Sequence, residues 1–281
     1  MLHSIDSMPR MPRPSFRPVL RALSLLSFFA GPLFADETLT EGWRDAGRHL
    51  FKESAARFAS RTDREGRLGG AALLLLQQPK TDANLAQAET TLTDLAATAT
   101  GPGDEIAAAA LYLLGRLEQN HRSPGDPVKA TAHYRRLLAE HPGHFFADQA
   151  YIKIAQIEIY DPALASDERL ARIDRHAAIA DTLSRPGSRR DLHLVLAQAC
   201  SQLRLDDARA LRHYLAADAA GIKLPQLQAN VTVAIGELAS RLGQPDLARI
   251  HFERFLADFR RDYRRSLVRD KLAALPPLSA R

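Results

Sequence analysis

The sequence predicts an all-α chain of repeated antiparallel helix pairs. Three observations carry that prediction. Ala and Leu recur throughout while aromatic residues make up only 6% of the 281 residues, a mixture that favours helices because Ala, Leu, Arg and Glu lose least on entering one. No run of alternating β-branched residues bounded by turn signals stands out; the best candidate, Val231-Thr-Val233, lies inside a longer helical period. A third observation is self-similarity at a step near forty residues, the mark of a helical repeat array.

The repeat rests on a small residue set in a Leu/Ile/Tyr-rich helical face. Aligning Ala72, Gly115, Ala155, Ala197 and Gly236 gives steps of 43, 40, 42 and 39. A small residue there lets two helices approach closely. Each such helix is followed by a second. Ala130, Tyr134, Leu137 and Leu138 share one face of a helix opened by Asp126 and Pro127 and closed by Pro142. Ala248, Phe252, Phe255 and Leu256 repeat that stripe in a helix that begins with Pro245, after a stop at Gly243. The i, i+4, i+7, i+8 spacing is that of a buried stripe. Aspartate is a good N-cap, and proline suits a first helical turn, where a missing N–H costs nothing. Weaker copies run through Ala88, Leu92, Leu95 and Ala96, and from Ala210 to Tyr214. The third pair is the least regular; its second helix, about 167–183, carries only Ile173, Ala177 and Ala180.

Leu114-Gly115 with Ala130, Tyr134 and Pro142, and Ile235-Gly236 with Ala248 and Phe252, resemble the tetratricopeptide repeat. The second match keeps the family's separation of twelve between the small residue and the alanine. The first holds three extra residues around Arg122-Ser-Pro124. The length of the repeats resembles that of bacterial envelope members of the family. The resemblance implies a right-handed α-solenoid. Residues 63–262 would form the repeats, 36–62 an N-terminal capping helix bearing Trp43, Gly47, Leu50, Phe51 and Phe58, and 263–281 a C-terminal capping helix and tail.

Residues 1–35 read as a secretory signal peptide. Arg10, Arg13, Arg17 and Arg21 precede the apolar run Ala22–Ala30, then Gly31-Pro32 and Leu33-Phe-Ala35. The expected mature chain begins at Asp36, exported, and periplasmic if the source cell has two membranes; Met8 or Met11 is an alternative start. An uncleaved anchor is the other reading, although the uninterrupted apolar run falls well short of the ~20 residues that span a bilayer. Residues 1–35 supply +3 of the formal net charge of +5. What remains is too balanced for a nucleic-acid footprint, which needs a concentrated basic face.

Chemistry-bearing motifs are sparse. There is no His-Glu-x-x-His, no phosphate-binding glycine loop and no Gly-x-Ser-x-Gly elbow. His141-Pro-Gly-His144, near Glu140 and Asp148, is the best metal candidate, yet it lacks a second ligand pair close by and reads as an inter-repeat turn. Cys200 lies in the apolar stretch Leu194–Cys200 and reads as a small core residue. The expectation is therefore a non-enzymatic scaffold with no metal or cofactor.

In the family, the first helix of each pair lines the concave surface. Counting one and five residues on from the aligned small residues places Arg116 and Asn120, Gln156 and Tyr160, Gln198 and Gln202, and Glu237 and Arg241 on that surface, each pair i and i+4. Amides both donate and accept, which suits an extended peptide backbone. The expected partner is a protein or peptide of the cell envelope; the alternative is an accessory subunit of an envelope enzyme complex that binds cell-wall glycan or lipid. A second candidate surface is the basic segment Arg260, Arg261, Arg264 and Arg265, suited to an anionic headgroup or an acidic partner.

Overall fold

The computed structural model describes residues 37–277. The signal segment, the Asp36 terminus and residues 278–281 lie outside them. The described residues form helices joined by short turns, with no strand among them. In chain order these are α1 (Glu37–Gly47), α2 (Phe51–Ala59), α3 (Arg64–Leu76), α4 (Asp82–Ala97), α5 (Glu105–Arg116), α6 (Pro127–Glu140), α7 (Phe145–Ile159), α8 (Ser166–Thr182), α9 (Pro186–Gln202), α10 (Asp207–Ala219), α11 (Pro225–Arg241), α12 (Pro245–Asp258) and α13 (Arg265–Ala273). Helix α5 runs directly into a π-helical turn, Leu117–His121. No described helix is long and apolar enough to cross a membrane.

Local chemistry places the ends. Pro127, Pro186, Pro225 and Pro245 open α6, α9, α11 and α12. Asp63, Asp104, Asp126 and Asp206 cap α3, α5, α6 and α10, each carboxylate accepting from backbone N–H groups of the first turn. After α11, Gly243 takes a φ of 68°, so that Gln244 N–H can donate back to Ala239 O at 2.9 Å.

The described residues divide into two compact units, one ending at Leu95 and the other beginning at Ala96. In the first, α1, α2 and α3 pack on one another. The ring of Phe58 on α2 lies against Gly42 of α1 and Gly69 of α3; an added Cβ would stand 2.9 Å and 2.3 Å from it. The fully buried Ser54 donates to Gly42 O at 2.8 Å. This segment differs from the single capping helix expected over 36–62. The chain turns at His49, with a φ of 62°, and makes a hairpin. Its Gly42, Ser54 and Phe58 keep the same twelve and sixteen spacing as Gly236, Ala248 and Phe252. Gly47 and Leu50, expected on a buried face, are exposed because they flank that turn.

In the second unit, each helix packs on the next from α5 to α13, and α7 also packs on both α5 and α9. Gly115 lies under Tyr134 and Gly236 under Phe252, where added Cβ atoms would come within 2.3 Å and 2.5 Å of the rings. One apolar cluster continues from Ile152 on α7 to Val268 on α13. Ile173 and Ala180 of the irregular α8 are fully buried, and Ala177 packs against the same cluster. The basic stretch expected to be helical from 260 to 274 is a turn as far as Arg264 and helical only over α13.

Candidate partner-binding lane

The lane begins where α5 ends. The residues that lengthen this repeat are taken up by the π-helical turn and the loop to α6. A π turn adds a residue to the helical ring and recurs at functional sites. Tyr134 of α6 steadies this one by donating to Gln119 Oε1 at 2.9 Å. The buried Glu118 carboxylate accepts from Arg122 Nε at 2.9 Å. Gly125 closes the loop against the turn, where a Cβ would sit 2.9 Å from Gln119 O. Asn120 is thus held half-exposed at the end of α5.

Helix α7 supplies Gln156, partly exposed, and Tyr160, 38% exposed at the C-cap. Helix α9 supplies Gln198, partly exposed, and Gln202, exposed. The Tyr160 hydroxyl donates to Gln202 Oε1 at 3.4 Å. Residues at equivalent positions of successive helix pairs therefore meet side by side. Burial pushes the Tyr160 phenol up to about 12, with nearby Tyr214 and Cys200 adding to the shift, so it remains a neutral donor at ordinary pH.

The remaining lane residues stand differently from the expectation. Arg116 is 3% exposed and lies beneath the surface. Glu237 is paired with Lys271 of α13 at 3.0 Å, and Arg241 makes a two-pronged pair with Asp207 of α10 at 2.7 Å and 3.0 Å. Both charges at that end are engaged because neighbouring helices bring opposite charges to them.

Lys153 was not picked out from the sequence, although a lone lysine in Tyr151-Ile-Lys-Ile-Ala155 was a legible signal. It is partly buried on α7, one turn before Gln156, and donates to Gln156 Oε1 at 3.3 Å. Burial pulls its ammonium down to about 7; Arg116 lowers it further and Asp191 of α9 opposes the shift.

The basic segment splits in two. Arg264 grips Asp262 at 2.7 Å, reaches Asn230 at 2.9 Å and lies over the Phe255 ring, while Arg265 donates to Leu256 O. Those two arginines hold the last turn in place. Arg260 and Arg261 are exposed, beside Tyr263 at 87% exposure.

His141 Nδ1 lies 2.9 Å from Pro102 O, and His144 caps α7 while its Nε2 meets Glu105 at 2.8 Å. Both histidines thus join the turn to the preceding pair. No group of three or more His, Cys, Asp or Glu side chains suited to a metal ion occurs among the described residues. Cys200 is fully buried and its thiol is pushed up to about 11 by burial, which suits a core residue and not a nucleophile.

No protein-family model matches this chain, and neither does any curated protein or solved structure.

Proposed function

We propose that this chain is an exported, non-enzymatic scaffold of tetratricopeptide-like architecture, a right-handed solenoid of helix pairs whose first helices present a lane for an extended protein or peptide partner. The single observation that supports this reading best is the Tyr160–Gln202 contact. It joins two solvent-facing polar residues from successive helix pairs, at the positions the repeat register makes equivalent. With Asn120, Gln156 and Gln198 they make a set of at least partly exposed side chains from the end of α5 to α9. Such a set offers donors and acceptors to a passing backbone. The tight seating of Gly115 and Gly236 under aromatic rings, and of Gly42 under Phe58, agrees with helix pairs of one recurring design. Export, to the periplasm if the source cell has two membranes, is supported by the signal-like residues 1–35.

Site-specific photo-crosslinking in the native envelope tests the reading. A photoreactive residue at the lane position Gln202 is expected to capture a discrete partner. One at Ile250, 59% exposed on the second helix of its pair, is expected to capture none. Capture from Ile250 with none from Gln202 would overturn the lane assignment.

A further inference from the structure

Arg116 poses a physical problem. Its guanidinium carries a positive charge and five N–H donors. It is buried, yet Nε and Nη1 make no hydrogen bond, and no carboxylate pairs with it among the described residues. The same chain shows what a structurally satisfied buried arginine looks like. Arg169, 9% exposed, directs its Nη atoms to Ile159 O, Asp161 O and Leu164 O at 2.8–3.0 Å and so ties down the end of α7. Arg116 closes no turn in this way. A buried charge is normally paired, because removing it from water is costly.

A second cation stands beside the first. Lys153 lies on α7, which packs on α5; its only described hydrogen bond is the 3.3 Å contact to Gln156, with no carboxylate in ion-pair range. The two side chains feel each other, and Asp191 is the one acidic group with a resolved pull on the amine. On the same helix as Arg116, the Tyr112 hydroxyl lies against the guanidinium, whose charge and side-chain hydrogen bonding together offset part of the upward push of burial. Arg116 thus keeps unmade N–H bonds, and neither cation has a carboxylate in ion-pair range among the described residues.

We infer that Arg116 and Lys153 form an oxyanion site at the α5–α7 end of the lane, taking a carboxylate or a phosphate group. The inference rests on the lane as the binding face. A carboxylate or phosphate accepts several charge-assisted hydrogen bonds at once and offsets both charges. Access is through Lys153, which is only partly buried. Occupancy requires the ammonium form. The site therefore binds well below pH 7 and loses affinity above it, as Lys153 gives up its proton. The anion has two sources, an acidic side chain of the partner segment or free phosphate.

Nuclear magnetic resonance titration of the full chain separates them. The probes are inorganic phosphate and an acetylated, amidated peptide, Gln-Glu-Gln, read at the Arg116 side-chain Nε–H and the Lys153 amide. The Nε–H resonance is expected to shift on titration at pH 6, and the affinity to fall about tenfold or more by pH 8.5. Lys153→Met, which keeps the length of the side chain, is expected to weaken binding about tenfold and to abolish its pH dependence. A tighter peptide than phosphate assigns the site to the partner's side chain; the reverse assigns it to a free anion. Silence of the Arg116 resonance to both probes overturns the site, as does unchanged binding by a folded Lys153→Met protein. If Gln202 captures a partner while these titrations are silent, the oxyanion site alone is wrong. If the titrations respond and Gln202 captures nothing, the lane is wrong and the anion site stands alone.

Discussion

His193 on α9 and His213 on α10 stack with ring centroids 5.4 Å apart and Nδ1 atoms 3.3 Å apart, both side chains buried. Burial pulls the His213 imidazole down to about 4, and His193 and Arg212 lower it further; Asp174 and Asp181 oppose them. His193 is lowered too, again by burial first. Both rings are thus neutral in the folded chain at pH 7. The unfolded chain binds protons near 6.5, where the folded one does not. Stability is therefore complete above about pH 6.5 and lost as pH falls toward 4, by about 3 kcal/mol at most from His213. Urea denaturation between pH 7 and 4.5 checks this. The wild type is expected to show a falling midpoint and His213→Leu a shallower fall. A flat wild-type profile would contradict the placement of the pair. Little of this residue-scale chemistry was legible beforehand. Position counting puts a residue on a helix face but not at a depth, and depth is set by the neighbouring helix. Arg116 was counted onto an open face and is buried; Lys153, in an apolar run, was passed over.

Helix pairing was far more legible, because it depends on local spacing. Gly115 and Gly236 were found by alignment, and both lie under the aromatic ring of the following helix. The hairpin of α1 and α2 was missed for one chemical reason: Ser54 stands where the pattern has alanine. Its hydroxyl is accommodated only because it donates to Gly42 O at 2.8 Å, a bond that sequence spacing does not reveal. The π turn after α5 was invisible for a related reason, since its extra length could equally have formed a plain loop. Gly236→Leu tests the pairing directly. With Phe252 Cε1 only 2.5 Å from where a Cβ would stand, the added side chain must push α11 and α12 apart. The expected cost is about 1–3 kcal/mol in chemical denaturation, through overpacking. A neutral outcome would mean that the two helices can separate without loss.

For the molecule as a whole, helical period and turn chemistry agreed along the chain, which made the all-helical architecture readable from the sequence. A fold of repeated helix pairs does not name its ligand, however, and the lane was reached by counting along the register. Of the residues so counted, Asn120, Gln156, Tyr160, Gln198 and Gln202 are at least partly exposed, while Glu237 and Arg241 are paired within the chain. The most direct test of the central claim is partner affinity after changing Gln156, Tyr160, Gln198 and Gln202 together to alanine. Each hydrogen bond nets only ~0.5–1.5 kcal/mol, so the four must act together. The comparison is Arg260 and Arg261 changed to glutamine, with Arg264 and Arg265 left in place to hold the last turn. With the partner captured at Gln202, the lane variant is expected to bind about tenfold or more weakly at unchanged helicity, and the tail variant to bind as the wild type does. Loss of binding in the tail variant, with the lane variant unaffected, would contradict the account.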